Sequence, residues 1–167
     1  MRSACLWALL ALVGCRGDPA PGAAVVEPTA QAIGVEECAA CGMVVREQPA
    51  PRGQLVHRDG QRAHFCSVGD MVQYLRAPSR HGKVTAAFVE VLDPAVDPKL
   101  TSTALRPWIR AESAGYVVGV HREGIMGPPV LSYAEPAIAA QVAMAHQGQA
   151  RTWAQLQSLS SAPHLGH

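Results

Sequence analysis

Cys38 and Cys41, followed at once by Gly42 and Met43, set two thiols and a thioether within six residues. Sulfur donors of this kind are soft and polarisable and select Cu(I) and related ions, whereas Mg and Ca sites are built from oxygens. Two other chemistries share the pattern. One is a redox-active C-x-x-C disulfide; the other is half a zinc knuckle completed by Cys66 and a histidine, His57 or His64. The cysteines alone leave copper, zinc and disulfide open.

The compartment is read from the first residues. Arg2 precedes the apolar run Leu6 to Val13, then Gly14 and Cys15. A charged start, a short apolar stretch and a small residue are the parts of a secretory signal, and the stretch is too short to span a membrane as a mature helix. Leu12-Val13-Gly14-Cys15 resembles the bacterial lipobox, in which the cysteine becomes the lipidated first residue of the mature chain. Arg16 stands where an aspartate would favour the inner membrane, so the resemblance implies the outer membrane, facing the periplasm. Acyl chains on Cys15 would hold firmly, each buried methylene contributing about 0.8 kcal/mol. Of the 5 cysteines, Cys5 is then discarded and Cys15 acylated. Cys38, Cys41 and Cys66 remain, an odd number in an oxidising compartment, and a bound metal accounts for three thiols better than a disulfide does.

Composition bounds the partners. In 167 residues, 16% charged and 49% hydrophobic is ordinary globular material. A net charge of +1 gives no basic stripe and 5% aromatics give no stacking platform, so nucleic acid is not expected as a partner. Residues 15–33, with Pro19, Pro21 and Pro28, read as an extended tether behind a 1–14 signal. Residues 158–167, carrying His164 and His167, read as a disordered tail.

The elements that must position the sulfurs follow from local signals. Gln54–Arg58 and Gln61–Cys66 flank Asp59-Gly60, a two-residue hairpin turn. Ser67-x-x-Asp70 is a helix N-cap pattern, and Val68, Met71, Val72 and Leu75 follow at helical spacing until Pro78, which makes Met71 core before ligand. Val84–Leu92 reads as a strand, closing a first ββαβ half over 34–93. Residues 94–107, rich in proline, read as a linker. A second half, 108–157, begins at Trp108, with strands at Tyr116–Val120 and Val130–Tyr133, a helix from Pro136 to a stop at Gly148, and a last strand at Ala150–Trp153. The fold class is α+β, two small ββαβ halves. Met144 reads as core within an apolar helix, whereas Met126 sits in a Gly/Pro loop, where a functional role gains.

Taken together, Cys38-x-x-Cys41-Gly42-Met43, Asp59-Gly60, Phe65-Cys66-Ser67, Asp70-Met71-x-x-Tyr74-Leu75, Trp108-Ile109, Ala114-Gly115-Tyr116-Val117-Val118-Gly119 and Met126-Gly127-Pro128 are similar to the NosL family, from Cys38 to Trp153 plus the lipobox. The resemblance implies a lipoprotein copper chaperone, related in fold to the organomercurial lyase, that binds Cu(I) for the copper–sulfide catalytic centre of nitrous oxide reductase and docks on a membrane transporter complex serving that centre. It implies Cys41 and Met43 as leading ligands, Met126 as one from the other half, and Cys38 as an additional one. Cys66 stands where many relatives carry an acidic residue, and Arg110 where an Asp is common.

Few soft ligands with an open position suit capture and hand-over, which is not an enzyme's task; a closed four-ligand zinc site would resist exchange. A homodimer in which two protomers share one ion is compatible with these residues. The alternatives are a structural zinc-binding or thiol-based lipoprotein and an organomercurial-lyase-like enzyme, with Asp70 or Asp59 as its acid. A thiol–disulfide oxidoreductase would need a thioredoxin-like βαβ setting, which this order lacks.

Overall fold

The computed structural model describes residues 27–49, 51–124 and 128–159. The lipobox with Cys15, most of the tether, Met126 and the tail beyond Leu159 lie outside the described residues.

The hairpin forms where Asp59-Gly60 placed it. Strands β1 (Gly53–His57) and β2 (Arg62–Phe65) pair antiparallel with Gly53 opposite Phe65 and Val56 opposite Arg62, and the His57 N–H donates to the Gln61 carbonyl at 2.9 Å. Helix α1 (Val68–Tyr74) starts at Ser67, whose hydroxyl accepts from the Asp70 N–H at 3.0 Å, and buries Val68, Met71 and Val72. It lies close on the sheet because β1 opens with a glycine. A Cβ on Gly53 would fall 2.7 Å from the Met71 sulfur, so the absent side chain is what admits the helix. Strand β3 (Val84–Glu90) pairs with the far edge of β1, leaving β1 central and buried along its whole length.

A short strand β4 (Trp108–Arg110), expected to open the second half, instead adds to the first sheet by pairing with β3, giving the order β2-β1-β3-β4. The second sheet holds β5 (Gly115–Val118), β6 (Val130–Tyr133) and β7 (Gln149–Arg151) in the order β6-β5-β7. Helix α2 (Pro136–Ala145), with proline in its first turn, precedes β7, and α3 (Trp153–Leu159) follows, taking in the first two residues assigned to the tail. The ββαβ order therefore occurs twice, and in both sheets the first strand of the half lies between the other two.

Met144 is not core. α2 buries the small residues Ala139 and Ala143, four apart, and Met144, one residue and about 100° further round, projects into solvent at 78% exposure. The apolar character of the whole segment concealed which face packs.

The halves join along β3 and β6. Leu92 N–H donates to the Ser132 carbonyl at 2.8 Å, and the buried Ser132 hydroxyl returns a bond to the Glu90 carbonyl. Residues 91–107 hold no helix or strand but are pinned by cations: Arg52 donates to the carbonyl of Ala104, Arg106 to that of Ser102, and Arg122 to that of Leu100.

Candidate metal centre

The Cys-x-x-Cys-Gly-Met stretch is a small loop stitched at its base. Glu37 and Val44 form an antiparallel bridge, Cys38 N–H donates to the Met43 carbonyl at 2.8 Å, and Val45 N–H to the Glu36 carbonyl at 2.9 Å. At the crest, Gly42 N–H closes on the Cys38 carbonyl at 2.8 Å with Gly42 at φ +76°, a left-handed conformation that a side chain resists. One edge of the loop rests on β2, where Ala39 N–H donates to the His64 carbonyl at 2.9 Å. This attachment buries Cys38 and leaves Cys41 exposed.

Cys66 and Asp70 arrive from a different direction. Cys66 follows β2 directly, Ser67 caps α1, and Asp70 occupies the first turn. One ligand atom from each of Cys38, Cys41, Cys66 and Asp70 lies within 4.8 Å of every other. The Cys41 and Cys66 sulfurs are 3.3 Å apart, and Cys66 N–H donates to the Cys38 sulfur at 3.4 Å. All three thiols are free.

Their environments drive the thiols apart in acidity. Burial works to raise the Cys38 pKa, but the backbone N–H groups of Cys66, Ala40 and Cys41 and the Cys66 side chain outweigh it, so Cys38 ionises more readily than a free thiol. Burial, then the hydrogen bonds to Cys41 and Cys38, push the Cys66 thiol well up, and the two neighbouring sulfurs repel a third charge. Asp70 is also raised by burial, against the Ser67 hydrogen bond. The arrangement is one thiol that ionises more readily than a free one, a second that ionises less readily and touches the exposed Cys41 sulfur, and a carboxyl group beside them. It suits a soft monovalent or borderline divalent ion better than a hard one.

Of the residues singled out in the sequence, Cys38, Cys41 and Cys66 are brought together. Met43 shares their loop, and its side chain is half-buried against the apolar cluster that contains Cys38 and Cys66. Met126 lies outside the described residues; Pro128, two positions on, has its carbonyl 3.4 Å from where a Gly69 Cβ would stand, so Pro128 itself reaches the first turn of α1 beside Asp70. His57 stands apart. It occupies the turn end of β1 while Cys66 follows the open end of the hairpin, five residues away in register or roughly 16 Å along the strand at about 3.3 Å per residue. Its Nδ1 meets the Gly82 carbonyl at 3.1 Å and its Nε2 the Tyr74 hydroxyl at 3.5 Å. Together with His64 and His81 it lines a separate cleft of about 580 Å³. Asp70 is the group that sequence reasoning placed only as a helix-cap partner and as the acid of an alternative. The signal was present: in a capped first turn Ser67 and Asp70 bond to each other, which holds the carboxyl group over the N-terminal end of the helix, beside the residue before the cap.

Comparison with known proteins bears on this site. The NosL family profile matches residues 30–160. A copper-binding lipoprotein NosL of Stutzerimonas stutzeri is 33% identical over 114 residues, a match covering 68% of this chain and 58% of that protein. A protein of the same description from Achromobacter cycloclastes is 30% identical over 128 residues, covering 73% of this chain and 61% of that one. The matches thus span about three fifths of these curated relatives. The crystal structure of the copper chaperone NosL from Shewanella denitrificans superposes with a TM-score of 0.62 at 28% identity, covering 76% of this chain and 94% of that one. The likeness bears out the α+β fold of two small antiparallel sheets with their helices.

Proposed function

The chain belongs to the NosL family, and on that footing we propose that it is a non-enzymatic lipoprotein that binds Cu(I) and hands it on for assembly of the copper–sulfide catalytic centre of nitrous oxide reductase. The observation that carries the reading is the convergence of Cys38, Cys41 and Cys66, with Asp70, within 4.8 Å. Cys41 and Cys38 are the primary thiolates, Met43 supplies the thioether, and Cys66 is the third thiol. Met126 joins from the second half, a role supported by the approach of Pro128 to the turn that bears Asp70. His57 falls out of the ligand set, since both its ring nitrogens are engaged elsewhere.

Transfer follows from the layout. Cys41 is exposed on a loop with open space beside Gly42 at its crest, so an incoming protein ligand can attack the ion from the solvent side before Cys38 and Cys66 let go. No bond in an organic substrate need break. Attachment through Cys15 places the site on the periplasmic face of a membrane, the outer one by the Arg16 signal. The partners are then the reductase and the membrane transporter complex that serves its copper centre.

Anaerobic competition between a chromophoric chelator and the reduced protein tests the reading. One Cu(I) per monomer, held far more tightly than Zn(II), is expected from three thiols and a thioether. Strong zinc retention with no Cu(I) retention would replace it with a zinc site of three cysteines and Asp70.

A further inference from the structure

We propose that Cys41 and Cys66 form a reversible disulfide that closes the site to copper, and that a dithiol partner protein reopens it by attacking Cys41; the closing effect rests on the copper reading above. The two sulfurs already touch at 3.3 Å, and a disulfide at about 2.05 Å asks for an approach of only about 1.3 Å. The loop can supply it. Ala39 to Gly42 are exposed, and nothing lies within 4 Å of the Cβ position of Gly42, so the crest moves without repacking a core. Cys38 is the worse partner, because its sulfur accepts the Cys66 N–H and its backbone is fixed to Met43 on one side and β2 on the other. The odd thiol left over is therefore Cys38, which is buried and shielded from further oxidation.

Exposure also decides the direction of exchange. Cys41 thiolate attacks a disulfide of small-molecule or protein origin, forming a mixed disulfide and expelling one thiolate. Cys66 thiolate then attacks the Cys41 sulfur, forms the internal bond and expels the second thiolate. The two thiol protons pass to the two leaving thiolates, and the oxidant gains two electrons. In reverse, an external dithiol reaches Cys41 alone, because Cys66 is buried. It bonds to Cys41, releases Cys66, and is freed when its second thiol closes its own disulfide. Oxidation removes two of the three thiolates, leaving Cys38 and the thioether as the sulfur donors.

The test uses the full-length protein equilibrated with oxidised glutathione, thiols blocked, and trypsin peptides weighed; cleavage separates Cys66 from Cys38 and Cys41. A linked peptide is expected in the wild type and absent in Cys41→Ser, a variant that alters only an exposed side chain. Linkage persisting in Cys41→Ser, a bond within the Cys38–Cys41 peptide, or no disulfide at all would overturn the pairing. The oxidised protein should bind Cu(I) at least ~100-fold more weakly, about 2.7 kcal/mol, with recovery after a phosphine reductant. Affinity unchanged on oxidation would overturn the closing effect. If the reduced protein also failed to bind Cu(I), the copper reading itself would fall and the gating with it, while the peptide linkage would still decide the pairing.

Discussion

Arg52 Nε donates to Glu90 Oε2 at 2.8 Å with neither side chain exposed. The pair sits between β1 and β3, and the rest of the guanidinium is spent on the carbonyls of Arg46, Thr103 and Ala104, so one buried cation holds both the loop behind the thiols and the linker. Glu90 also accepts the Arg106 N–H at 3.3 Å. Removing one member of such a pair leaves an uncompensated buried charge. Glu90→Gln should cost about 3–5 kcal/mol of stability, read as a fall in the urea midpoint, while the fraction that stays folded keeps its thiols.

Gly42 tests the loop with little else disturbed. Its Cβ position is open, so a substitution pays only for the left-handed backbone. Gly42→Ala should destabilise by about 1–2 kcal/mol, and Gly42→Asn by less, since asparagine tolerates that region. Equal midpoints for alanine and wild type would show that the turn relaxes freely.

Met43→Leu separates packing from ligation. The half-buried side chain keeps its volume, so stability should change by under about 1.5 kcal/mol. Cu(I) affinity should fall about 10- to 100-fold, or about 1.4–2.7 kcal/mol, in the same chelator competition. An unchanged affinity would confine Met43 to packing.

Asp70 gives a pH signature. Burial raises its pKa in the folded state above the unfolded value, so the folded form holds the proton more firmly. The stability this contributes is present below the unfolded pKa and is lost as pH rises through the folded one. Asp70→Asn should therefore match the wild type in acid and become the more stable of the two at neutral pH, in denaturation midpoints measured across that range. A wild type that gained on the variant as pH rose would reverse the sign.

The elements carried by near neighbours were legible in the chain. Asp59-Gly60 fixes a turn between residues four apart, and Ser67 and Asp70 fix a helix start within one turn. What depends on distant partners was not. Trp108–Arg110 pairs with β3 because β3 offers a free edge, a fact no local pattern of that segment contains. Met144 lies in a helix apolar on several sides, so periodicity could not choose the face. At the site, type and spacing picked out the three cysteines. Strand register sets the histidine away from them, since His57 and Cys66 belong to opposite ends of one hairpin.

The thiols come from two stretches 25 residues apart in sequence, one on a loop stitched chiefly to itself and β2, the other where β2 runs into α1. An ion shared by Cys41 and Cys66 would be a fastener between them. The loaded protein should then resist heat and proteolysis by an increment that grows with the tightness of its cargo. Delivery carries the opposite sign: each ion given away loosens the donor, and the empty form is the one a protease or a quality-control factor would meet first.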